Sequence, residues 1–238
     1  MQKLVPVYAW PQSMQLAVDE LRSGQALTVI SVPTPATTNR LLARDLIRTA
    51  LRETLAVVLD QPAASITLVS GPGQAIWVDS PLARLHVSVS HTPGVSVAAI
   101  GRGAAIGVDL MHVDQGAEAM LDWARVALDY LGPTVTVLLQ STSPAQRPAA
   151  FAQAWTRFEA CLKCLGLALT EWTPVLEQQL TTCRVMALTL PENCRGAIAI
   201  NANAFVGSAL LGVALGQYDP EAGVACEARI RVYAPSIQ

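Results

Sequence analysis

Charge is scarce in this chain. Of its 238 residues 14% are Asp, Glu, Lys or Arg, and the net charge is -2. So low a charge content argues against disorder, and without a positive excess nothing supports nucleic-acid binding through bulk charge. A paired cysteine framework is also missing. The five cysteines are an odd count, and only Cys161 and Cys164 form a C-x-x-C, with no second pair at ligand spacing, so we read both as packing residues. No basic-then-apolar leader opens the sequence, which together with the cysteines gives the expectation of a reduced, cytoplasmic protein. Mean hydropathy is +0.37, yet no apolar run of about 20 residues is free of breaks. The best candidate, residues 196–216, is interrupted by Asn201, Asn203 and a Gly207–Ser208 break. It reads as two buried strands of a hairpin rather than a spanning helix. A G-x-S-x-G nucleophile elbow is absent too, which argues against a hydrolase of that design.

What the chain does have is apolar residue, 52% of the total. That is enough for a sizeable core, in one large domain or two small ones. Residues 39–59 carry an amphipathic helical pattern with Asn39 as a candidate cap. Strand patterns follow at 65–70, 86–90, 95–101 and 105–111, the last with Asp109 near its end. A helical region at about 115–131 leads to the linker-like "STSPAQRP" at 141–148. Residues 151–169, "FAQAWTRFEACLKCLGLAL", predict a second long helix. Strands around 183–190, 196–201 and 207–215 close the chain. Each half runs helix first and strands after, so the expected class is α+β. We expect two similar lobes, residues 1–105 and 106–238.

Three constellations carry chemistry. On the first helix Arg40, Arg44, Arg48 and Arg52 stand four apart and form a ridge, expected opposite Leu41, Leu42, Leu46 and Leu55. Such a ridge is either a solvated face or an anion site, since guanidinium forks suit phosphate. The second is "VSVSHTPG", with Ser90 and His91 at a strand end before a Pro–Gly turn. Neighbouring strand residues point to opposite faces, so Ser90 and His91 are ill placed as nucleophile and base of a triad with Asp109. The third joins strand and second helix. Trp155, Glu159 and Lys163 fall four apart and share one face. A solvated Glu–Lys pair is the plain reading of the helix alone. Asp109, however, is a carboxylate in an apolar strand and needs a cation or solvent. Asp109 and Glu159 together form the sparse oxygen set that Mg²⁺ uses when phosphates complete its shell.

"SHTPG", "IGVDLM", "WTRFEACLK" and "LGLAL", in this order and spacing, resemble the surfactin-type (Sfp-type) 4′-phosphopantetheinyl transferases over about residues 40–215. The resemblance implies two pseudo-symmetric lobes, each a small, mainly antiparallel sheet packed with helices, with coenzyme A and Mg²⁺ between them. It implies Mg²⁺-dependent transfer of phosphopantetheine from coenzyme A to a serine of an apo acyl or peptidyl carrier protein. The product released would be adenosine 3′,5′-bisphosphate. Asp109 and Glu159 then correspond to Mg²⁺ ligands, Lys163 to the contact on the coenzyme A phosphates, and Ser90 and His91 to the pair on the nucleotide phosphate. Arg44 corresponds to the 3′-phosphate contact, with Arg40 or Arg48 as substitutes. The serine proton would pass to Glu159 directly or through a bound water.

Four positions depart from the family pattern. Phe158 stands where many relatives have lysine, Met111 where some have a third acid, Gln74 in place of a lysine, and Val135 near a common glutamate. These departures motivate a second reading, a non-catalytic scaffold of the same fold that binds coenzyme A or a carrier. Carriers are commonly acidic around the modified serine, so a basic and apolar rim is expected, with Arg125 and Arg147 as its candidates in 115–148. A monomer is expected, because two fused lobes already build the cleft.

Overall fold

The computed structural model describes residues 4–35, 37–69, 76–78, 85–113 and 121–201. Within them the strands form two sheets. The larger holds β1 (Tyr8–Ala9), β2 (Leu27–Pro33), β3 (Leu68–Val69), β4 (Trp77–Val78), β5 (Leu85–Thr92) and β6 (Val95–Arg102), in the order β1-β2-β6-β5-β4-β3. All neighbours in it are antiparallel except β1 and β2. The smaller holds β7 (Ile106–His112), β8 (Cys183–Ala187) and β9 (Cys194–Asn201), in the antiparallel order β7-β9-β8. The protein is mixed α+β. Among the described residues no helix is long and apolar enough to cross a membrane.

Side-chain alternation assigns each strand face. On β6, Ala98 and Ile100 pack with the long helix α2 (Arg40–Leu59) and with α1 (Met14–Arg22), whereas Val97 and Ala99 face the smaller sheet. On β9, Ala197 and Ala199 pack under α5 (Arg147–Leu165), and Ile198 and Ile200 face the larger sheet. On β7, Ile106, Val108 and Leu110 join that shared inter-sheet core. Asp109 is therefore turned to the other side of the strand. The chain's start crosses the sequence midpoint: Val5 bridges to Leu188 and belongs to the inter-sheet core.

Helix α2 begins where the sequence indicated, with the Asn39 side chain accepting from the Leu42 N–H at 2.9 Å. Its apolar stripe differs from the expected one. Ala43, Ile47, Ala50, Leu51 and Leu55 are buried, while Leu41 and Leu42 are 70% and 50% exposed. The stripe that meets the sheet starts at Ala43, one residue after the two leucines. The expected 65–70 strand is shorter, a 3₁₀ turn at Ala63–Ser65 followed by β3.

In the second half α3 (Trp123–Val126) continues into a π turn, Ala127–Leu131, and then α4 (Gly132–Ser141), so helix runs ten residues past its expected end at about 131. The linker-like stretch is a short connection from α4 to α5 inside this half. Helix α5 starts at Arg147 and stops at Leu165, with Gly166 left-handed at φ 68°, so "GLAL" leaves the helix. Helix α6 (Pro174–Leu180) then leads to β8, which ends at Ala187 rather than near 190. Cys161 and Cys164 are buried against the smaller sheet, and Cys164 Sγ lies 3.2 Å from the Ala105 carbonyl oxygen. Gln74, Asn203 and the expected 207–215 strand lie outside the described residues.

Candidate functional site

A cleft of about 1390 Å³ opens between α2 on one side and the ends of β5, β7 and α5 on the other. Arg40, Arg44 and Arg48 line it from α2, Ser90 and His91 from β5, Asp109 and Met111 from β7, and Trp155, Glu159 and Lys163 from α5. Leu167 and Leu169, just past α5, complete a partly apolar wall. Arg44, Ser90, His91, Asp109, Glu159 and Lys163, the six residues matched to coenzyme A and Mg²⁺ contacts, therefore line one cavity, whereas Arg52, Arg125 and Arg147 do not.

Its two ends differ chemically. At one end Arg40 and Arg44 are exposed, and the ion pairs among the described residues use neither. His91 sits beside them, its Nδ1 2.8 Å from Ser96 Oγ. Burial pushes the imidazole down to about 4, and the charges of Arg44, Lys163, Arg40 and Arg48 act in the same direction. The ring is thus neutral at pH 7 in a positively charged recess, which suits an anion.

At the other end Asp109 is 1% exposed. Its Oδ1 accepts from Ser90 Oγ at 2.6 Å and from Lys163 Nζ at 2.9 Å, while Oδ2 is buried without a hydrogen-bond partner. Burial raises the Asp109 carboxyl, opposed chiefly by Lys163 and then by Ser90. Glu159 Oε2 lies 3.8 Å from the same ammonium. Burial pushes the Glu159 carboxyl up to about 7, with Lys163 opposing and Asp109 adding to the rise.

Two hydroxyl and ammonium donors are already engaged inside the protein. Lys163 Nζ also reaches the Val108 carbonyl at 3.1 Å and the Val89 carbonyl at 3.4 Å, so all three of its N–H groups have acceptors. Ser90 gives its only proton to Asp109 and accepts from the Leu110 N–H at 3.1 Å. Ser90 and Asp109 are bonded directly and His91 points to the opposite face. This arrangement is no Ser–His–Asp relay.

Close approach of α5 to β7 makes the cluster possible. A Cβ on Gly107 would lie 2.5 Å from the Cys164 backbone nitrogen and 2.9 Å from Lys163 Cβ. Only glycine lets the helix lie this near the strand and bring Lys163 onto Asp109.

The departures from pattern have structural reasons. Phe158 is fully buried in the core under α5, and Val135 is buried in the same core. Met111 is half-buried beside Asp109 and lines the cleft. Arg157, next to Phe158, is 2% exposed and does not line the cleft, so it supplies no cation there. Arg147 is not a free surface cation: it donates to the Leu139 and Thr142 carbonyls and lies 4.8 Å over the Trp123 ring. No described residue of 121–148 lines the cleft.

Ser88, Thr92 and Gly107 are not among the site residues expected from the sequence. Ser88 and Thr92 accept from the Val108 and His112 N–H groups, each at 3.0 Å. Their signal was the hydroxyl at every second position of "SVSHT".

One comparison bears directly on this geometry. Residues 105–206 match the family model of the 4′-phosphopantetheinyl transferase superfamily. The matched segment contains Asp109, Glu159 and Lys163, whereas Arg44, Ser90 and His91 precede it. No curated protein matches the chain.

Proposed function

We propose that this protein is a 4′-phosphopantetheinyl transferase of the Sfp type, moving phosphopantetheine from coenzyme A to a serine of an apo acyl or peptidyl carrier protein. The observation that carries the reading is one cleft with a guanidinium wall at one end and the Asp109–Lys163–Glu159 cluster at the other. The superfamily match over the segment holding that cluster supports it. Two pseudo-symmetric lobes, divided near residue 105, belong to the same proposal. In its support, each sheet packs against one long helix, α2 or α5.

The residues present fit a magnesium ion. Two carboxylates face one cleft, one with an unpartnered buried oxygen, and hard oxygen donors are what Mg²⁺ takes. Among the described residues no third acid, histidine or cysteine joins them, which leaves room for substrate phosphates. Asp109 and Glu159 would hold the ion. When bound, Mg²⁺ offsets the charge of the diphosphate.

The chain's own groups supply the rest. Arg44, with Arg40 and Arg48 beside it, would hold the 3′-phosphate of the nucleotide, and His91 would line the same recess. Lys163, 2.9 Å from Asp109 and 3.8 Å from Glu159, holds Asp109 in place, and its charge would offset that of the diphosphate. In the transfer the carrier serine oxygen bonds to the β-phosphorus of coenzyme A. The bond from that phosphorus to the bridging oxygen breaks, and adenosine 3′,5′-bisphosphate leaves. The serine proton is released, and Glu159 would take it directly or through a bound water.

Intact-mass spectrometry of a panel of apo carrier proteins, incubated with the protein, coenzyme A and Mg²⁺, tests the reading. A gain of one phosphopantetheine, abolished in Glu159→Ala, is the expected result. Coenzyme A binding without any gain would instead support the scaffold reading, which the buried Phe158 and Val135 favour. No binding of coenzyme A would overturn the transferase reading and leave only a scaffold that binds a carrier.

A further inference from the structure

β7 is an edge strand of the smaller sheet. One side of it pairs with β9, so on the other side alternate N–H groups would be bare. They are not bare. The Val108, Leu110 and His112 N–H groups donate to Ser88 Oγ, Ser90 Oγ and Thr92 Oγ1 at 3.0, 3.1 and 3.0 Å. The sequence offset is 20 in all three, so β5 and β7 run the same way and meet as a ladder. Side-chain hydroxyls of one sheet take the place of a strand's carbonyls along the edge of the other.

This ladder joins the two ends of the cleft. β5 carries His91 toward the arginines of α2, and β7 carries Asp109 beneath α5. Ser90 lies in the middle of the ladder and also donates to Asp109. Ser88 and Thr92 flank it by one rung on each side and touch neither carboxylate nor arginine in the hydrogen bonds described. Their rungs fix how far β7 has slid along β5, and with it the spacing from the guanidinium recess to the Asp109 carboxylate. We propose that Ser88 and Thr92 are positioning residues, which set the register of the anion-binding end against the carboxylate end. The identity of the ligand that spans both ends rests on the transferase reading.

The test compares the parent with Ser88→Ala/Thr92→Val, which keeps side-chain volume nearly constant and removes two rungs. Amide hydrogen exchange is followed at Val108 and His112. Titration calorimetry measures adenosine 3′,5′-bisphosphate, which needs the basic end alone, and coenzyme A with and without Mg²⁺, which would engage both. The expected result is at least about tenfold faster exchange at the two amides, the order of one lost hydrogen bond each. The Mg²⁺-dependent gain in coenzyme A affinity should fall about tenfold, with the nucleotide bound within about twofold of the parent. Thr92→Ser should restore protection at His112.

Unchanged protection at both amides would overturn the proposal. So would an equal loss of nucleotide and coenzyme A affinity, the mark of general loosening. If the parent itself binds no coenzyme A, the transferase reading fails, while the exchange at Val108 and His112 still decides the ladder. Should the double variant not fold, each single variant reports on its own amide.

Discussion

Gly107 lies directly against the Ala160 carbonyl, so that a Cβ at position 107 would collide with the backbone of α5. Neither the strand nor the helix has a flexible side chain there to give way. Gly107→Ala should therefore lever α5 off β7, at a cost of about 3 kcal/mol, the upper range for overpacking. Urea denaturation checks the cost. Because Lys163 rides on the displaced helix, coenzyme A binding should weaken in the fraction that still folds.

Lys163 and Asp109 form a largely buried pair, 29% and 1% exposed. Lys163→Met would leave a desolvated carboxylate with only Ser90 and the Leu110 N–H beside it, and the Asp109 carboxyl would rise further. We expect a loss of about 2–3 kcal/mol, below the full range for enclosed pairs because Lys163 keeps some solvent contact. Adding Asp109→Asn should cost less than the sum of the two single changes. An additive double-mutant cycle would show that the pair is not coupled.

His91 is held down at about 4 by burial and by the arginines, whereas an unfolded histidine titrates near 6.5. Between these values the unfolded chain binds more protons than the folded one. Stability from this residue is therefore present above pH 6.5 and is lost as pH falls toward 4. NMR titration of the imidazole measures the value. Arg44→Ala should raise it, and so should an anion bound in the recess; an unmoved His91 in both cases would separate the ring from the arginine wall.

Phe158 has no solvent exposure and packs among Leu139, Phe151, Leu162 and Leu180. Phe158→Lys would not add a cleft cation. It should instead destabilise the protein by about 3 kcal/mol or more, through the lost aromatic and a buried ammonium, as seen by a lower melting temperature. A stable variant with faster transfer would mean that the lysine reaches the cleft.

The local sequence determined a good deal. Asn39 and the leucine- and alanine-rich period that follows fix α2, because capping and a 3.6-residue repeat act within a few turns. Period two fixes β5, β6 and β7 for the same local reason, and i,i+4 spacing alone puts Trp155, Glu159 and Lys163 on one face. Tertiary structure decided which faces count. Leu41 and Leu42 match the helical stripe in composition, but the sheet meets α2 from Ala43 onward, and only that docking separates buried from exposed leucine. Serine at 88 and threonine at 92 look like ordinary strand residues until β7 arrives with bare N–H groups from 20 positions away. In the same way, Asp109, Ser90 and Lys163 become one hydrogen-bonded cluster only because Gly107 admits the backbone of α5. Contacts of this kind depend on how two sheets and a helix approach one another, a relation that no local pattern of residues encodes.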